Sequence, residues 1–240
     1  MFAATLIGEP VVADVFWSTD LEAYNAGALG DSPNQTFRSS PLIAPIFQVT
    51  KLDTKRTDPA PYLFLDWRYD GVASPMIFRS DDLSLVYADQ QYSQTKNTRV
   101  QKVGGERLLT FWEGIEEARH GRGRCLAFDE KYNLKYNITP VGLASGVLAD
   151  LHECQVTDKG TVLISIYEPI PFDLTPVGGP ANGMLLDCLF QEIDPRTNRL
   201  LFEWRASDHV LLADTRSSIE DNMLPMGFDF YHLNSVAKVR

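Results

Sequence analysis

The stretch His152–Tyr167, HECQVTDKGTVLISIY, decides the fold class. Its two runs, Glu153–Val156 and Thr161–Tyr167, flank Asp158-Lys159-Gly160. Short apolar, β-branched runs either side of a glycine turn read as a β-hairpin, because glycine accepts the positive φ a tight turn demands. A second pattern follows in Cys188–Trp204, CLFQEIDPRTNRLLFEW, where Cys188–Ile193 and Arg199–Trp204 enclose the longer turn Asp194-Pro195-Arg196-Thr197-Asn198. The same alternation occurs upstream. Val100–Trp112 turns at Gly104-Gly105, and Cys125–Ile138 turns at Asp129-Glu130-Lys131-Tyr132-Asn133.

A short-turn hairpin followed by a long-turn hairpin makes four strands, the content of one propeller blade. One such sheet cannot bury both faces alone, and stacking on its neighbour hides them. We therefore expect an all-β chain with β-propeller architecture, the competing fold being a β-sandwich. Further strands are expected at Leu42–Val49, Tyr62–Trp67, Met76–Arg79 and Leu83–Tyr87, the last two joined through Ser80-Asp81-Asp82. Another is expected to open at Tyr231–Val236. Helix signals are sparse: a single turn at Glu113–Arg119 and a short helix within Leu211–Asn222. Residues 1–40, with Gly27, Gly30, Asp31, Ser32 and Pro33, read as a leader and loop segment, and 41–240 as about three blades of a propeller truncated at its C-terminus. Sheet edges left open this way invite self-association.

Composition bounds the partners. The chain of 240 residues is 44% hydrophobic and 22% charged, ordinary globular values, with a net charge of −10. No basic stripe exists for nucleic acid, and acidity argues against an anionic membrane surface. No run approaches the roughly 18 apolar residues of a membrane span. Met1–Trp17 lacks a basic start and is interrupted by Glu9, Pro10 and Asp14, so it makes a poor secretory signal. Two glycosylation sequons, at Asn34 and Asn137, point towards secretion. The three cysteines, Cys125, Cys154 and Cys188, contain no CxxC pair, so no metal site is expected. Cys154 and Cys188, each near a strand start, either bridge neighbouring strands in an oxidising compartment or stay as buried thiols.

HExxH, Walker A, GxGxxG and GxSxG motifs are absent, which removes the common metalloprotease, nucleotide-binding and serine-hydrolase readings. Four histidines remain. His152, in Asp150-Leu151-His152-Glu153-Cys154, and His232, in Asp229-Phe230-Tyr231-His232-Leu233-Asn234-Ser235, occupy matching repeat positions. On an inner propeller strand both would converge on the central channel, and His232 and Asn234, two apart, would share a face. An imidazole and an amide on one face can grip an oxyanion. The alternative is a turn-capping or core role for each. Arg119-His120-Gly121-Arg122-Gly123-Arg124 reads as an anion-friendly or simply solvated loop, and His209 as a loop residue. Asp81-Asp82 reads as a turn former, and Trp67, Trp112 and Trp204 as packing between sheets.

Phe64-Leu65-Asp66-Trp67-Arg68, Asp150–Cys154, Leu200–His209 (LLFEWRASDH) and Phe230–Val236 together resemble the fungal arylsulfotransferase-like proteins, relatives of the bacterial aryl-sulfate sulfotransferases. The resemblance covers roughly 40–240. It implies a six-bladed propeller and transfer of a sulfuryl group from a phenolic sulfate ester to a phenol through a sulfated histidine. It implies no cofactor, phosphoadenosine-phosphosulfate included, and phenols and aryl sulfates as the small-molecule partners. Full-length relatives of this kind are expected in the secretory pathway or outside the cell. By the resemblance, His232 and Asn234 match a substrate-binding His-x-Asn, and His152 an earlier channel histidine. The nucleophilic histidine and a sulfate-binding arginine are expected beyond Arg240, which leaves a non-catalytic binding module as the alternative function.

Overall fold

A computed structural model describes residues 17–238 except 19, 32, 52, 54–55, 57–59 and 70–71. Residues 1–16, 19 and 32 of the expected leader and loop segment therefore lie outside the described residues. The rest of that segment is more ordered than a loop. Strand β1 (Trp17–Ser18) precedes helix α1 (Leu21–Asn25), whose first turn is capped by the Asp20 carboxylate accepting from the Ala23 N–H at 2.9 Å. Strands β2 (Asn34–Phe37) and β3 (Ser40–Pro45) form a hairpin, and β4 (Phe47–Gln48) pairs in parallel with β1.

The next sheet has three antiparallel strands, β5 (Tyr62–Tyr69), β6 (Val72–Arg79) and β7 (Leu85–Ala88). Asp81 and Asp82 do form the turn between β6 and β7. Asp81 pairs with Arg79, and Asp82 accepts from the Ser84 N–H at 2.9 Å. Two antiparallel four-stranded meanders follow. The first is β8 (Thr95–Val103), β9 (Glu106–Glu117), β10 (His120–Phe128) and β11 (Leu134–Ile138). The second is β12 (Ala149–Val156), β13 (Val162–Phe172), β14 (Gly183–Asp194) and β15 (Arg199–Arg205). The chain then passes through α2 (Ala206–His209), α3 (Ile219–Asn222), β16 (Met223–Leu224) and β17 (Gly227–Phe228), which returns to β14 in parallel at Leu185↔Phe228. The fold is mostly β with few helices, and no sheet closes on itself among the described residues.

Three expectations are corrected. Residues 113–119 are not helical: β9 runs on to Glu117, and Ala118 and Arg119 make a tight turn at φ 48° and 72°. Residues 120–124 are not a loop but the start of β10, so the three arginines diverge. Arg119 reaches Asn222, Arg122 the Gly146 carbonyl and Arg124 the Glu113 carboxylate. Finally, 229–238 is irregular rather than a strand, so the two-residue alternation invoked for His232 and Asn234 does not apply.

The meanders touch where β10 meets β12, bridged at Gly123↔Ala149. Trp112, fully buried, donates its indole N–H to the Ala149 carbonyl at 3.0 Å. Around it pack Ile138, Val162, Ile164, Ile166, Leu189 and Ile193, the alternate residues of strands whose other faces look elsewhere. A disulfide joins Cys125 on β10 to Cys154 on β12, with Cα atoms 6.0 Å apart. Of the two readings of Cys154 and Cys188, the bridge between them is thereby ruled out: β13 lies between β12 and β14, and two strand spacings of about 4.8 Å exceed a disulfide's reach. Cys188 is a buried free thiol opposite Tyr167.

Candidate functional site

Asp150, the second residue of β12, has a side chain with no solvent exposure. A buried carboxylate needs donors, and Asp150 has four. They are the Gly121 N–H (2.6 Å), the His152 N–H (2.9 Å), the Ser165 hydroxyl (3.3 Å) and His152 Nδ1 (2.5 Å). Burial works to raise its pKa, yet the His152 ring and these N–H donors hold it below the ordinary carboxylate value.

Asp229 makes a second pair of the same kind. It accepts from His232 Nδ1 at 2.6 Å and lies 3.3 Å from His120 Nε2. Burial again pushes its carboxyl up, and the two imidazoles outweigh that and lower it. For His120 burial favours the neutral ring, but Asp229 and the Ala118 carbonyl lift its pKa above normal.

His232 sits centrally. Its ring centroid is 4.8 Å from that of His120, 5.0 Å from His152 and 5.6 Å from Tyr167. Tyr167 also meets His120 edge-on at 4.3 Å, and its hydroxyl donates to the Leu233 carbonyl at 3.2 Å. That bond ties the irregular segment carrying His232 to β13. Burial drives the Tyr167 phenol far above its usual pKa. The His152 and His232 side chains keep 17% and 29% exposure, so their outer edges reach solvent while both partner carboxylates are sealed. A cavity of about 370 Å3 opens beside His120, Gly121, Arg122, Gly146, Tyr167 and Met226.

The structure thus brings His152 and His232 together, and Asn234 lies exposed two residues on. His120 was missed as a site residue. A signal existed in Gly121 and Gly123, since glycines alternating through a strand mark a close backbone approach. A Cβ on Gly121 would stand 2.5 Å from the Leu151 N, so the first meander lies directly against the Asp150 strand there. Asp150 and Asp229 lie two and three residues before His152 and His232, but nothing in the linear order shows that each carboxylate bonds a ring nitrogen. His209, expected in a loop, ends α2 and stacks on Trp204 at 5.3 Å, away from the cluster. Of the sequon asparagines, Asn137 is exposed on β11 and Asn34 is half-buried on β2.

Three histidines, two ionised carboxylates and a tyrosine, held by β-meanders at one sheet junction, define a polar site built for proton handling or anion contact. Residues 99–240 match the family model described as Arylsulfotransferase (ASST), and the chain belongs to that family. The match takes in the first meander from Arg99 on, the whole second meander and every cluster residue, and leaves out the Phe64–Arg68 stretch. No curated protein and no solved structure matches the chain. No helix among the described residues is long and apolar enough to cross a membrane.

Proposed function

We propose that this cluster handles the sulfuryl group in transfer from a phenolic sulfate ester to a phenol, without phosphoadenosine-phosphosulfate. The observation that carries the reading is the pair of facing units, Asp150–His152 and Asp229–His232, with ring centroids 5.0 Å apart. In each, the carboxylate takes Nδ1, which fixes the ring and leaves Nε2 for the substrate. Protonated, that nitrogen donates to a sulfuryl oxygen and spreads the charge developing there. Unprotonated, it takes the proton of the acceptor phenol as the phenol oxygen bonds to sulfur. Asn234 would add an amide donor at the open side. A nucleophilic imidazole divides the transfer: nitrogen bonds sulfur as the donor's aryl oxygen leaves, and the acceptor oxygen then displaces nitrogen. In this reading the two meanders are blades of a propeller and the cluster faces its channel. The Cys125–Cys154 disulfide supports an oxidising compartment, where Asn137 would be open to glycosylation.

The test uses p-nitrophenyl sulfate as donor and phenol as acceptor. Acceptor-dependent release of nitrophenol is expected from the wild type, falling about 10²–10⁴-fold in His152→Ala and His232→Ala. Asp150→Asn should lower it as well, because the amide can no longer hold the same tautomer. Turnover unchanged in both histidine variants would remove these residues from the reaction.

A further inference from the structure

Among the described residues three buried side-chain atoms lack a hydrogen-bond partner, and two of them, His120 Nε2 and Asp229 Oδ1, lie in this one cluster. Their residues are 1% and 2% exposed, so water does not reach them freely. An unmet polar atom in such a place costs on the order of 1–3 kcal/mol.

The orientation of His120 sharpens the point. Its Nδ1 lies 2.9 Å from the Ala118 carbonyl, which can only accept, so the ring proton is on Nδ1. Nε2 faces Asp229 Oδ2 at 3.3 Å but outside hydrogen-bond alignment. A protonated Nε2 therefore leaves its N–H unmet in a dry site, and an unprotonated one opposes two lone pairs. A cation between them removes the conflict. Zinc bonds of about 2.0–2.2 Å in a tetrahedron place neighbouring ligand atoms about 3.4 Å apart, close to the separation seen. His232 Nδ1 supplies a third donor, and the three ligand atoms all lie within 4.8 Å of one another.

We propose that His120 Nε2, the Asp229 carboxylate and His232 Nδ1 bind a divalent first-row transition ion of the zinc type. Two imidazoles and one carboxylate favour such an ion over magnesium or calcium, which take oxygen ligands. The Ala118 carbonyl on His120 Nδ1 is the outer partner that orients a metal-binding imidazole. On entry the ion takes the place of the proton between His232 Nδ1 and Asp229, the neutral ring keeps its one proton on Nε2, and that 2.6 Å contact opens to a ligand–ligand edge. Three protein ligands leave a fourth position for water or an anionic oxygen. The site shares His232 with the proposed sulfuryl contact but uses the other ring nitrogen. Metal binding is measured with no sulfate ester present, so its failure and the failure of the transfer reading are separate results.

The experiment strips the full chain with a chelator, then titrates it with Zn2+ and, separately, Co2+. One ion per chain is expected, with the intense visible bands of tetrahedral cobalt and no thiolate charge-transfer band. Asp229→Asn and His232→Ala should weaken binding by more than the ~10–100-fold typical of losing an outer-shell partner, and His209→Ala should not. Because a variant at a buried position can fail to fold, X-ray absorption of the zinc-loaded wild type gives an independent readout, expected to show nitrogen and oxygen ligands with two imidazoles. No retained ion, sulfur in the ligand set, or affinity unchanged in folded Asp229→Asn and His232→Ala would overturn the proposal.

Discussion

Cys188 illustrates how a residue's chemistry follows from its position. Its thiol is fully buried on β14, and burial pushes its pKa up to about 12. The thiolate is the reactive form, so Cys188 should resist iodoacetamide in the native protein and react only after denaturation. Stoichiometric native labelling in neutral buffer would show that this part of the core opens readily. Read from the sequence, Cys188 was an equal candidate for a bridge to Cys154. The choice between bridge and thiol depended on strand order, which no single residue carries.

At the scale of elements, β10 is the informative strand. Its glycines exist because the Trp112 ring and neighbouring backbone cover them. A Cβ on Gly123 would lie 2.7 Å from Trp112 Cζ2 and still closer to the Glu113 backbone. Gly123→Ala should therefore cost about 1–3 kcal/mol in denaturant unfolding, since backbone on that side cannot yield as a side chain would. A loss below a few tenths would mean the strand shifts at little cost. Trp112→Phe should cost about 1–3 kcal/mol, because the buried indole bond to the Ala149 carbonyl is lost along with part of the ring's packing. The hairpin turns were legible because glycines and acidic clusters punctuate them. The β9–β10 turn was not, because Ala118-Arg119 carries no such mark and Glu113–Arg119 has good helix formers.

At the scale of the whole molecule, two ties hold the site together. The Cys125–Cys154 disulfide links the meanders across 29 residues of sequence, and removing it through Cys154→Ala should cost about 3 kcal/mol. Equal stability of the oxidised wild type and the variant would deny the bridge that role. The second tie is the segment carrying His232. The Val236 N–H donates to Glu153 at 3.4 Å, and Lys238 Nζ donates to both Glu192 oxygens at 2.8 and 2.7 Å. Burial works to raise the Glu192 pKa, but Lys238 and the Thr161 hydroxyl outweigh it and lower it. A carboxyl whose folded pKa is depressed stabilises the fold above its ordinary value and loses that contribution as pH falls through the folded one. Thermal stability should thus fall more steeply on acidification in the wild type than in Glu192→Gln. Parallel pH profiles would show that the tie contributes nothing.

The sequence by itself determined the β-class, the hairpin pairs and their alternation, because turn chemistry and two-residue periodicity are local properties of the chain. It also singled out His152 and His232, and the resemblance it carries pointed to the family that residues 99–240 match. Only the tertiary structure decided that His120 joins them, that Asp150 and Asp229 hold the ring nitrogens, and that Cys154 bonds Cys125 rather than Cys188. The physical reason is common to all three. Each contact is made across strands or between segments far apart in sequence, where geometry is set by which sheets pack together, and the linear order of residues carries little trace of that.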